Sequence, residues 1–179
     1  AMQSAISAFD LKRIDSPEAF TGLLAALSSS FLPTRVNAFD GLVEILGVPE
    51  SLTEPHQAPL WRKMLLVLTP FPSAYERGAA ELREVFERLK RGESPESIGL
   101  VYEPGADPSL IGRVWASLEP KSEKVDVEAV RALSGHDRQW AEAQIVFKLG
   151  ERDVRAVRAL AELELTEFLP VLIEARVMY

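Results

Sequence analysis

A chain of 179 residues, 47% hydrophobic and 26% charged, is long enough to bury a core and too apolar for disorder. Its net charge of −7 argues against a nucleic-acid backbone or an anionic membrane as main partner, because either rewards a positive patch. The chain has no cysteine, which excludes disulfide scaffolds, zinc fingers and thiol nucleophiles.

The acidity is uneven. Residues 1–90 carry 9 Lys/Arg against 11 Asp/Glu, and residues 91–179 carry 11 against 16. Ala1 ahead of Met2 reads as the remnant of a cleaved tag, and no basic stretch followed by an apolar one opens the chain. The run Met64–Leu68 is far too short to span a bilayer. The expectation is a soluble, cytoplasmic protein with no membrane partner.

Helix punctuation dominates the chain order. Ser16-Pro17-Glu18 opens a stripe at Phe20, Leu23, Leu24 and Leu27, with a capping serine, a proline at the first helical position and an acid at the positive end of the dipole. Pro33 and Thr34 introduce Val36, Phe39, Leu42, Val43 and Leu46, closed by Gly47 and Pro49. Residues 50–59, cut by prolines and holding His56, read as an exposed connection. Leu60–Leu68 fits a helical stripe, and Met64–Leu68 fits a buried strand almost as well. Helix is preferred because no partner strand stands nearby, and a strand pair with Ile98–Tyr102 is the alternative.

Ser73 and Glu76 form a capping-box pattern ahead of Ala79, Leu82, Val85, Phe86 and Leu89. Glu84–Arg88 and Glu87–Arg91 have the favourable i, i+4 orientation. Ser94-Pro95-Glu96 and Asp107-Pro108 open two further helices, the second carrying Leu110, Ile111, Val114, Trp115 and Leu118. Asp126 caps a helix to Leu133, Trp140–Leu149 ends at Gly150, and Asp153 caps Val154–Leu163. Pro170 starts a last apolar stripe at Leu172, Ile173 and Val177. The chain closes at Tyr179 without a polar tail, which leaves two readings: a C-terminus packed in the core, or a chain cut from something longer.

The fold expectation is a single α-helical domain over 1–179, all-α or α-dominant, a compact bundle of about eight short helices. Sub-boundaries fall near 49–59 and 120–125. Asp126–Leu133 is echoed by Asp153–Leu160, 27 residues further on. Two copies are too few for a solenoid and carry no repeat signature, so coincidence in an Ala-, Val-, Arg- and Leu-rich chain is the preferred reading.

Catalytic and cofactor fingerprints are missing. No phosphate loop, dinucleotide-binding glycine pattern, His-Glu-x-x-His or nucleophile elbow occurs, so no catalytic, cofactor or metal residue is assigned. His136 beside Asp137 is the nearest approach to a general base, although adjacent turn residues more often cap. Glu81, Glu84 and Glu87 interleave with arginines as a solvated face, and Glu162, Glu164 and Glu167 gather at a helix end. Residues 94–118 have the outline of a helix-turn-helix, yet the second helix offers DNA only Ser109, Arg113 and Ser117. Of the tryptophans, Trp61, between Pro59 and Arg62-Lys63, is the one expected at a surface, making Trp61, Arg62 and Lys63 the candidate interface.

The leading functional expectation is a non-enzymatic protein–protein interaction or regulatory module, with self-association among its forms. A DNA-binding regulator using 94–118 and a ligand binder or enzyme around His136 are the alternatives.

Overall fold

A computed structural model describes residues 16–54, 59–105 and 107–179; His56 lies outside the described residues. Among them the chain forms ten α-helices and one 3-10 turn, with no strand, so the alternative pairing of 64–68 with 98–102 is not formed. The helices are α1 (Pro17–Ala26), α2 (Leu32–Leu46), α3 (Glu50–Thr53), α4 (Pro59–Val67), α5 (Pro72–Lys90), α6 (Pro108–Leu118), α7 (Val127–Ala132), α8 (Gly135–Gly150), α9 (Val154–Glu162) and α10 (Leu169–Met178).

Several ends follow directly from local sequence. Ser16 Oγ accepts from Ala19 N–H at 3.1 Å, and Asp107, Asp126 and Asp153 cap α6, α7 and α9 through their carboxylates. At the end of α2, Gly47 takes φ +60° while Val48 N–H donates to Val43 O and Gly47 N–H to Glu44 O. That pair of bonds is a Schellman closure, which needs the left-handed conformation glycine adopts cheaply.

Two packed groups of apolar side chains meet at α4. Leu60, Met64 and Val67 join α1, α2 and α5 on one side; Leu65 and Leu66 join the larger C-terminal group built on α6–α10. This position explains why Met64–Leu68 reads like a buried strand. A helix packed on both faces loses its polar face, and with it the period that distinguishes helix from strand. α4 approaches α5 closely at Gly78, where a Cβ would stand 2.8 Å from Lys63 O and 3.0 Å from Leu66 Cβ.

Arg35, inside α2, is fully buried. Its guanidinium donates to Val67 O (2.8 Å), Ser29 O (2.8 Å) and Thr69 O (2.9 Å), and lies 4.0 Å from the centre of the Tyr75 ring. Burial pushes its pKa down, and the Tyr75 charge acts weakly in the opposite sense. The carbonyls at the negative end of α4 and the ring face hold the cation in place.

Five local expectations give way. Residues 50–53 form one helical turn that buries Leu52, so the connection is anchored rather than wholly exposed. Ser73 does not make a capping box, because α5 begins at Pro72 and places Ser73 inside the first turn. Its N–H (3.1 and 3.2 Å) and its Oγ (2.9 Å) donate instead to the Glu174 carboxylate of α10. Arg88 and Arg91 pair with Glu93 beyond the helix end instead of with Glu84 and Glu87. Residues 94–102 make turns, not a helix: Ser94 receives Ser97 N–H, but Gly99 turns left-handed (φ +71°) within the same stretch. The stripe Leu172, Ile173, Val177 is split: Leu172 packs half-buried against the core beside the buried Val171 and Ala175, while Ile173 and Val177 turn outward.

Candidate interaction surface

The residues singled out from sequence are mostly engaged within the fold. Trp61 is half-buried and touches both apolar groups, so it is a bridge between them and not an open ring. Arg62 and Lys63 are half-buried beside it. Arg62 Nη2 stands 3.6 Å from Glu81 Oε2. Burial, then the neighbouring Arg62 charge, pushes the Lys63 pKa down, while Glu81 and Glu84 oppose that shift. Glu81 therefore faces a cation across the α4–α5 contact and departs from the solvated face expected for it.

The three candidate DNA contacts are each committed elsewhere. Ser109 Oγ donates to Asp107 Oδ1 at 2.6 Å, which with the Ser109 N–H bond holds the Asp107 carboxyl below its ordinary value. Arg113 grips Asp126, Nη2 to Oδ2 at 3.0 Å. Ser117 is buried and donates to Val114 O at 2.7 Å. With 94–102 in turns, the first helix of a helix-turn-helix is missing as well.

His136 and Asp137 sit in the first turn of α8, not in an interhelical turn, and they serve two different partners. His136 Nδ1 accepts from Glu103 N–H at 3.2 Å. Asp137 is buried and accepts from Tyr102 OH (2.6 Å) and Gly105 N–H (2.8 Å). Burial first, then the bond to Asp137, pushes the Tyr102 phenol up to about 12. Together they buckle the 102–105 loop onto α8. A general base oriented by its carboxylate would need the aspartate on the imidazole, and here it is spent on Tyr102 and Gly105.

Of the carboxylates gathered at 162–167, Glu167 pairs with Arg77 at 3.1 Å. Among the described residues no group of three or more His, Asp or Glu is placed to hold a metal ion. A polar cavity of about 170 Å3 lies between Arg62, Arg77, Glu81, Gln139 and Phe168. Arg62 Nε and Glu81 Oε2 are buried there without a hydrogen-bond partner among the described residues. Both atoms are covered by protein, so a molecule in the cavity would not reach them.

The outer face of α10 is different in kind. Leu169 (54% exposed), Ile173 (60%) and Val177 (82%) stand in one row at i, i+4, i+8, with Met178 and Tyr179 exposed beside its C-terminal end. The row is held firmly from behind. Glu174 caps the first turn of α5 through Ser73, and Tyr179 OH donates to Leu149 O (3.1 Å) and Gly150 O (3.0 Å). The Tyr179 ring meets Phe71 edge-on at 6.4 Å and carries Arg152 at 4.9 Å. At the other end Arg77 bonds Glu167 and covers the Phe168 ring at 5.0 Å.

No protein-family model, no curated protein and no solved structure matches this chain. The surface must therefore be judged on its own chemistry. A helix apolar on both faces belongs between neighbours on both sides, and α10 packs on α5 and α8 through its inner face alone. No sequence rule distinguished its two faces, because Val171 and Ala175 alternate with Leu169, Ile173 and Val177 at spacings that suit either as the core side. No described helix is long and apolar enough to cross a membrane.

Proposed function

We propose that this chain is a non-enzymatic protein-interaction module whose docking face is the outer row of α10. One observation carries the reading: three aliphatic side chains at i, i+4, i+8 are exposed on a helix anchored at both ends. Aliphatic anchors at that spacing are how one amphipathic helix lies against another. The occupant is accordingly a helix with an apolar face. A rigid backing lowers the ordering cost of docking, since the row is displayed before the partner arrives.

A photo-reactive amino acid placed at Ile173, in cells producing the protein, is expected to capture a protein adduct. The same probe at Glu128, an exposed position on α7, should capture little. Equal capture at both positions would remove α10 as a docking face, and the reading with it.

A further inference from the structure

We infer that residues 102–105 are an acid-released strap, held on the first turn of α8 by a backbone bond that ends when His136 takes a proton. The strap is the stretch of chain between Leu100, buried in the apolar group of α1, α2, α4 and α5, and the start of α6. It therefore ties one packed group to the other.

Among the described residues, the hydrogen bonds from strap to helix all run one way. Tyr102 OH and Gly105 N–H donate to Asp137, and Glu103 N–H donates to His136 Nδ1. Pro104, between them, has no N–H to give. The approach is close. A Cβ on Gly105 would stand 2.7 Å from Asp137 Oδ2, and the Tyr102 and His136 rings lie 6.4 Å apart, tilted by 30°.

The two acceptors differ in what a proton does to them. A carboxylate keeps its accepting oxygens throughout the range in which imidazoles titrate. A neutral imidazole has one acceptor nitrogen, which Glu103 N–H uses here, and an imidazolium has none. On protonation Nδ1–H and Glu103 N–H become two donors facing each other. The bond is present while the ring is neutral and is lost as pH falls through its titration. The titratable and charged groups beside the ring are Tyr102 and Glu103 on the strap, and Asp137 and Arg138 on α8. Asp137 is engaged by the strap, and Arg138 by Glu142 at 2.7 Å. The strap has no cation to oppose a charged ring, and His136 is only half-buried, so water can supply the proton. Asp137 retains its two bonds, so acid loosens the strap without detaching it. Loosening opens Asp137, otherwise 2% exposed, to water and slackens the tie between the two groups.

NMR of the isotope-labelled full chain between about pH 8 and about pH 5.5, above the ordinary carboxylate range, tests this. The Glu103 amide is expected to lose its hydrogen-bonded shift with the same midpoint as the His136 ring. Its exchange, corrected for the intrinsic dependence on pH, should speed up roughly fivefold, the worth of one such bond. His136→Asn offers an amide oxygen in place of Nδ1 and should keep Glu103 protected at every pH. His136→Phe should leave Glu103 unprotected at every pH, with amides away from the strap unchanged, which separates the strap from a loss of fold. A Glu103 amide that ignores the His136 midpoint would overturn the inference. So would an imidazolium captured by the Glu103 carboxylate with the amide still protected, or a transition that persists in His136→Asn.

Discussion

Asp126–Leu133 and Asp153–Leu160 share the pattern Asp-Val-x-Ala-Val-Arg-Ala-Leu, yet the molecule treats them differently. In α7 both valines are inside: Val127 is 7% exposed and Val130 is 0%. In α9 the matching Val154 is 79% exposed and Val157 44%. The cap is common to both, since each aspartate accepts a backbone N–H of its own first turn. The neighbours are not. α7 lies against α6 and α8, whereas α9 packs chiefly on α8, which needs only Ala156, Ala159 and Leu160. Coincident sequence has been given unequal burial, which is not how stacked repeats behave.

The third residue of each segment adds a further difference. Glu128 points outward to Arg131. Arg155 folds back on Asp153 and donates to the carbonyls of Ser117, Leu118, Glu119 and Ser122. It thereby closes the C-terminal end of α6, where free carbonyls need donors.

The sharpest way to break the comparison is charge at the second valine. Val130→Asp should cost more than about 4 kcal/mol and prevent stable folding, because the carboxylate would be buried without a partner. Val157→Asp should stay within about 0.5 kcal/mol in urea unfolding. Equal losses would mean that the two valines share an environment after all. Next comes Arg155→Met, expected to cost about 2 kcal/mol by freeing several carbonyls, against almost nothing for Glu128→Gln. The smallest effect is in acid. Hydrogen bonding to Arg155 holds the Asp153 carboxyl below its ordinary value. A depressed folded-state pKa contributes stability above the unfolded value, and that contribution is lost as pH falls through the folded value. Asp153→Asn should therefore lower stability at neutral pH and flatten the loss measured below about pH 4.

Legibility in the sequence tracked the range of the interaction. Caps at Ser16, Asp107, Asp126 and Asp153, and the closure at Gly47, involve residues within a few positions of one another, and those ends stand where the residues indicate. Ser73 is not a cap because α5 begins at Pro72, and its bond to Glu174, 101 positions away, has no local signal. Arg35 gave no sign that it would be buried, since its acceptors at Val67 and Thr69 come from the end of α4 and the turn after it, more than thirty positions away. Trp61 was expected at a surface from its charged neighbours, but α4 runs between two apolar groups and draws it in. Ser109, Arg113 and Ser117 lost their candidate role to bonds made at home.

Outside Met64–Leu68, helix as opposed to strand was legible in the chain itself, because turn periodicity, prolines and capping side chains act over a few residues. Which side of each helix would be covered was not. Val130 and Val157 have the same local surroundings and opposite exposure, and α10 has two apolar sides of which one is filled. Burial is conferred by whatever packs alongside, and that is a property of the assembled fold.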